Sequence, residues 1–109
     1  MPDNSMRVLE KMLDISAFRQ KLLTSNIANA DTPGYRAKDI SFQGELDKAV
    51  EGTHSGYDIY EPATTMSNRD GNNVNLDIEM AKVAENTLIY NAATQLMSMK
   101  MRMMKDAMK

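Results

Sequence analysis

Three groups of side chains in this chain are capable of chemistry: the carboxylates Asp77 and Glu79, the lone His54, and the thioethers of Met97, Met99, Met101, Met103 and Met104. Asp77 and Glu79 are two residues apart, which on a helix turns them about 200° away from each other. They suit the positive end of a helix dipole better than a shared proton. His54 sits among Thr53, Ser55 and Gly56, with neither a nucleophile elbow nor an acidic orienting group at a usable spacing. It reads as an exposed loop histidine. The methionines could gather on Cu(I) only if the segment were extended, because alternate residues of a helix diverge. As an adaptable apolar contact surface they need no such condition. Lys100, Arg102 and Lys105 between them also permit a helix lying on a membrane surface, a subordinate alternative alongside the metal-binding one.

Catalysis needs polar groups converging in a pocket, and here they are scattered, so no enzyme, cofactor or metal is expected. The 109 residues include 11 Met and no Cys, which excludes disulfides, thiolate catalysis and cysteine-bound zinc. A formal charge of -2 is far from the basic balance of a nucleic-acid-binding domain. No run of about 18 apolar residues is present, and Asp3, Arg7, Glu10, Lys11, Asp14 and Arg19 interrupt the stretch where a signal peptide would need its apolar core. Neither direct membrane insertion nor general secretion is expected.

The elements that carry these groups follow from hydrophobic spacing. Leu9, Leu13, Leu23, Ile27 and Ala30 recur near the helical period from Met6 to Ala30, and Val8, Met12, Ile15, Phe18 and Leu22 form a second row. This predicts one long helix over residues 6–30, with Asn4 or Ser5 as its cap. Asn29 to Gly34 end it, and Pro33-Gly34 fit the central positions of a type II turn. Phe42, Leu46 and Val50 suggest a short helix capped by Asp39 or Ser41. Residues 51–75 are polar and read as a flexible loop. Asn75 then caps a last helix over 76–109, whose stripe is Leu88, Ala92, Leu96, Met99 and Met103, with Ile89, Ala93, Met97, Met104 and Met108 beside it.

The expected architecture is a single all-α domain in which two long terminal helices pair as an antiparallel coiled coil. Leu9, Leu13, Leu23 and Ile27 would face Leu88, Ala92, Leu96, Met99 and Met103. Each helix covers one stripe of the other, whereas both carry faces at least two stripes wide. The polar middle is not expected to supply cover, so further helices must, and the free chain should be loose at its ends. Self-association in a larger helical assembly is the consequence.

The run Ser25-Asn26-Ile27-Ala28-Asn29-Ala30-Asp31-Thr32-Pro33-Gly34-Tyr35-Arg36 resembles the N-terminal signature of bacterial flagellar rod and hook proteins. Ala37 to Phe42, Asp70 to Ala81, Ala84-Glu85-Asn86 and Tyr90 extend the resemblance nearly end to end, toward a proximal rod subunit. Another rod subunit, such as FlgC, would be expected to show a different turn and a different start to its last helix. The resemblance implies a structural subunit of the basal body for flagellar motility, crossing the cytoplasmic membrane by the flagellar type III export apparatus and assembling in the periplasm. Its implied partners are other rod proteins, the rod adaptor FliE and the membrane ring. It also marks Asn26, Ile27, Asn29, Asp31, Thr32, Gly34 and Tyr35 as signature residues bearing on assembly. Tyr35 is expected to pack back on the helix with its hydroxyl in a polar contact.

Overall fold

A computed structural model describes residues 4–53, 55–62 and 67–108, so the reading of His54 lies outside the described residues. Three helices follow in order: α1 (Asn4–Ala28), α2 (Phe42–Glu51) and α3 (Leu76–Ala107). Among the described residues the only β pairing is an isolated bridge, and no helix is long and apolar enough to cross a membrane.

Helix α1 already contains Asn4 and Ser5, which therefore lie in its first turn and do not precede it. It stops at Ala28, where the end tightens: the Asn29 N–H is shared between the Ser25 carbonyl at 3.0 Å and the Asn26 carbonyl at 3.2 Å, and the Ala30 N–H reaches back three residues to Ile27 at 3.2 Å. Of the two residues expected to cap α2, Ser41 does so, its hydroxyl accepting from the Gly44 N–H at 3.0 Å. Asp39 is engaged elsewhere. Asn75 caps α3 by accepting from the Ile78 N–H at 3.2 Å.

Helices α1 and α3 pair antiparallel along a molecule 63 Å long, and α2 packs on α1 alone. The seam has a seven-residue rhythm: Leu9, Ser16 and Leu23 are buried on α1, and Glu79, Asn86 and Ala93 on α3, the repeat of a left-handed coiled coil. The Asn86 amide donates to the Ser16 carbonyl at 2.9 Å, which fixes the register.

That register differs from the expected one. Leu9 and Leu23 are buried and Leu13 and Ile27 half-buried, but Leu88 is 71% exposed, Leu96 48% and Met103 63%, with Ala92 and Met99 also outward. At 100° per residue, Ala92 lies about 100° and Leu96 about 60° to one side of Ala93. Hydrogen bonds set this phase: Glu79 and Asn86 find partners on α1, and the apolar stripe is rotated out to keep them there.

The second departure concerns cover. The polar middle does shield α1: Ile15 is buried, and the Phe18 ring stacks on Tyr57 with centroids 4.3 Å apart. Burial, then the nearby Asp14 and Glu45 carboxylates, push the Tyr57 hydroxyl pKa up. Tyr60 pairs with Asp39 through two 2.9 Å backbone hydrogen bonds. Buried Glu45 accepts from the Asp58 N–H at 3.0 Å and meets Lys48 at 3.0 Å. Helix α1 is thus enclosed on two sides, and α3 is the helix left bare.

Leu23→Ala should lower unfolding free energy by about 2–5 kcal/mol, whereas Leu88→Ala should change it by less than about 0.5 kcal/mol. Chemical denaturation of the two variants measures this, and a reversed ranking would return the Leu88 stripe to the seam.

Candidate functional site

The closed end of the pair, where α1 gives way to the turn and α3 begins, brings together two stretches far apart in sequence. Residues 25–36 form one side and residues 70–75 the other. Asn26 is buried and uses its whole hydrogen-bonding capacity. Its Nδ2 donates to the Lys38 carbonyl at 2.8 Å and to Glu79 Oε2 at 2.9 Å, while its Oδ1 accepts from the Lys38 N–H at 3.0 Å and the Tyr35 hydroxyl at 3.3 Å. One side chain thereby ties α1, the chain after the turn, and the first turn of α3.

The turn is shaped for this. Gly34 has φ +76°, and the Tyr35 N–H donates to the Thr32 carbonyl at 3.2 Å, as Pro33-Gly34 at the centre of a type II turn requires. Tyr35 folds back so that its hydroxyl also lies 3.1 Å from Ser25 Oγ. Asn29 donates to the Ser25 carbonyl at 2.8 Å, satisfying a terminal helix acceptor, and accepts from the Thr32 hydroxyl at 3.0 Å. Ile27 is half-buried; Asp31, Thr32 and Gly34 are exposed.

Asn72 and Asn73 lock the second stretch onto the first. Asn72 Nδ2 donates to the Asn29 and Thr32 carbonyls at 2.9 and 2.7 Å, and Asn73 Oδ1 accepts from the Ala37 N–H at 2.6 Å. The Gly34 N–H donates to the Asp70 carbonyl at 2.8 Å. Both asparagines look like turn residues by composition, and nothing in local spacing shows that they are buried.

Beside this junction lies an ion cluster that the apolar pattern does not reveal. Arg19 is bidentate to Asp39 at 3.0 and 3.2 Å and reaches Glu85 at 2.7 Å, while Lys82 lies 3.5 Å from Asp39. Burial alone would lower the Arg19 pKa, but hydrogen bonds to Asp39 and Glu85, with their charges, outweigh it and raise the pKa. Burying Arg19 and Asp39 demands this pairing. The cluster joins both long helices to the chain after the turn.

At the opposite end the surface is apolar. A groove of about 450 Å³ is lined by Ser5, Val8, Leu9, Leu96, Met99, Lys100 and Met103, and a second of about 370 Å³ by Met6, Met101, Met104, Lys105 and Met108. Met99, Met101 and Met103 stand on unbroken helix, so their thioethers diverge and the extended segment a Cu(I) site would need does not form. The site is therefore a surface, with a hydrogen-bonded junction at one end and exposed methionine at the other.

Residues 16–36, which include Arg19 and the turn, match the family described as flagella basal body rod protein. A flagellar basal body rod protein FlgB from Bacillus subtilis (strain 168) is 35% identical, covering 92% of this chain and 89% of its own. FlgB of Yersinia enterocolitica is 36% identical over 81% of each chain, and FlgB of Escherichia coli (strain K12) 31% identical over 88% of this chain and 86% of its own. The chain belongs to the FlgB family of flagellar basal body rod proteins. The alternative rod subunit, FlgC, is not favoured.

Asn26→Leu would strand the Lys38 amide and carbonyl and the Glu79 carboxylate, at about 1–3 kcal/mol for each group left unpaired. Thermal unfolding should show the loss, and an unchanged midpoint would remove Asn26 from its role as the tie. Gly34→Val places a β-branched residue at φ +76°, costing roughly 1–2 kcal/mol or more. Its incorporation into rods should fall, which immunoblotting of isolated basal bodies checks.

Proposed function

We propose that this chain is a non-catalytic structural subunit of the proximal flagellar rod, entering it through the helices at its two ends and serving flagellum-driven motility. The observation that carries the reading is the bare apolar face of α3: Leu88, Leu96, Met99, Met101, Met103, Met104 and Met108 are all exposed. Fully burying each such side chain is worth about 1.5–3 kcal/mol. A patch of this extent calls for a protein neighbour. Membership of the rod family supplies the kind of neighbour, namely helices of adjacent rod subunits. We place Leu9, Leu13, Leu23 and Ile27 chiefly in the helix pairing within one copy. Leu88, Ala92, Leu96, Met99 and Met103 belong to the pairing between copies. The signature residues Asn26 to Tyr35 act by holding the closed end in one geometry.

The same reading assigns the chain to the periplasmic rod, exported by the flagellar type III pathway, with FliE, the membrane ring and the export apparatus as its other neighbours. Residues 1–109 act as one rod-protein domain, in the three parts 6–30, 31–75 and 76–109.

Replacing the native copy in its host by a Leu96→Asp Met103→Asp variant should leave the circular dichroism of the purified subunit intact. Rods and swimming should be lost. Normal rods and full motility in that strain would overturn the assignment of the α3 face to assembly.

A further inference from the structure

The buried seam of α3 carries no sulfur. Its residues are Glu79, Asn86 and Ala93, and one heptad further on stands half-buried Lys100. The methionines flank this line. Measured from Lys100, Met101, Met104 and Met108 are turned one way by about 100°, 40° and 80°, and Met99 and Met103 the other way by about 100° and 60°. Each flank borders its own apolar groove, of about 370 and 450 Å³. Nine of the chain's 11 methionines lie among the described residues. Met6, Met12 and Met97 are half-buried, whereas Met108 is 85% exposed and Met80, Met99, Met101, Met103 and Met104 also point outward.

Thiols and thioethers are the side chains that readily take oxygen from peroxides. The chain has no cysteine, so no thiol competes and the accessible thioethers are the first targets. Hydrogen peroxide transfers one oxygen atom to the methionine sulfur and departs as water; the sulfur loses two electrons and the peroxide gains them. The sulfoxide is polar and chiral, and it disrupts surfaces built from methionine. Methionine sulfoxide reductases reverse the step, one enzyme for each epimer, with two thiols oxidised to a disulfide and the oxygen released as water. In this molecule the consequences divide by position. The bonds that phase the helices, from Asn26 to Glu79 and from Asn86 to the Ser16 carbonyl, contain no thioether, so oxidising the exposed methionines leaves them in place. The face that α3 turns outward is built largely from those same methionines.

We propose that Met99, Met101, Met103, Met104 and Met108 form a site of reversible oxidation by peroxides in the free subunit, and that their sulfoxides leave the chain folded but unable to join the rod. The loss of assembly rests on the rod-subunit reading; the selectivity of oxidation and the survival of the fold do not. Peroxide thereby acts on the outward face and spares the seam.

Purified full-length subunit treated with hydrogen peroxide should gain oxygen at Met99, Met101, Met103, Met104 and Met108 ahead of Met12 and Met97, as tandem mass spectrometry reads, while its circular dichroism stays unchanged. Methionine sulfoxide reductases of both epimer specificities, supplied with a thiol, should return the original mass. Earlier oxidation of Met12 and Met97, or loss of helix in step with the exposed sulfoxides, would overturn the separation of face from fold. For assembly, a Met99→Gln Met101→Gln Met103→Gln Met104→Gln variant places a polar oxygen at each site that no reductase removes. With circular dichroism unchanged, it should be lost from basal bodies isolated from the host; normal incorporation would overturn the proposal. If the Leu96→Asp Met103→Asp variant also incorporates normally, the rod-subunit reading fails as well; if that variant is excluded while the glutamine variant incorporates, only this proposal does.

Discussion

The coiled coil is phased by polar groups, and the rest of the architecture depends on that. At the seam positions of α3 stand a carboxylate, an amide and a methyl group, Glu79, Asn86 and Ala93, each fully or nearly fully buried. The first two must be hydrogen-bonded to be there at all. Asn26 meets Glu79, and the Ser16 carbonyl meets Asn86. These bonds fix both the axial register and the rotation of α3. The large side chains of α3 cannot then turn inward, because doing so would strip Glu79 and Asn86 of their partners. An interior that accepts polar residues and an exterior that retains Leu and Met are two sides of one constraint.

The closed end extends the same logic from one layer to a junction. Asn26, Asn72 and Asn73 act as backbone surrogates, satisfying carbonyls and amides where a helix, a turn and a second helix start meet without a sheet to pair them. The bidentate Arg19–Asp39 pair adds a geometric restraint between α1 and the chain after the turn. Residues 16–36, the segment that matches the rod-protein family, carry Arg19, Asn26 and the turn, the α1 side of this junction.

Much of this was legible in the sequence. The three helices, the Asn75 cap and the Pro33-Gly34 turn follow from local chemistry, which acts within a few residues. The partner of each stripe does not, because it depends on long-range hydrogen bonds. Leu88, Ala92, Leu96, Met99 and Met103 make the more apolar row, and a reading by area alone assigns them to the seam. Glu79 resembles a dipole-complementing surface residue until Asn26 is seen beside it. Asn72 and Asn73 have the composition of a turn and the burial of a core. Residues 51–75 lack the apolar area to order themselves, yet Tyr57 and Tyr60 anchor that stretch by one ring stack and one backbone pair, neither of which has a sequence period.

The distribution of ties along the 63 Å axis is uneven, and this sets how the molecule comes apart. Near the turn, amides and ion pairs are concentrated and mutually dependent; toward the free ends the described residues between α1 and α3 are mainly thioether and aliphatic side chains. Opening free energies should therefore rise from a low value at the termini to the global value near Asn26, with the turn region as the most protected cooperative unit. Such a gradient makes the subunit a hairpin that unzips from its tips and rewinds from its bend, keeping its register through each partial opening.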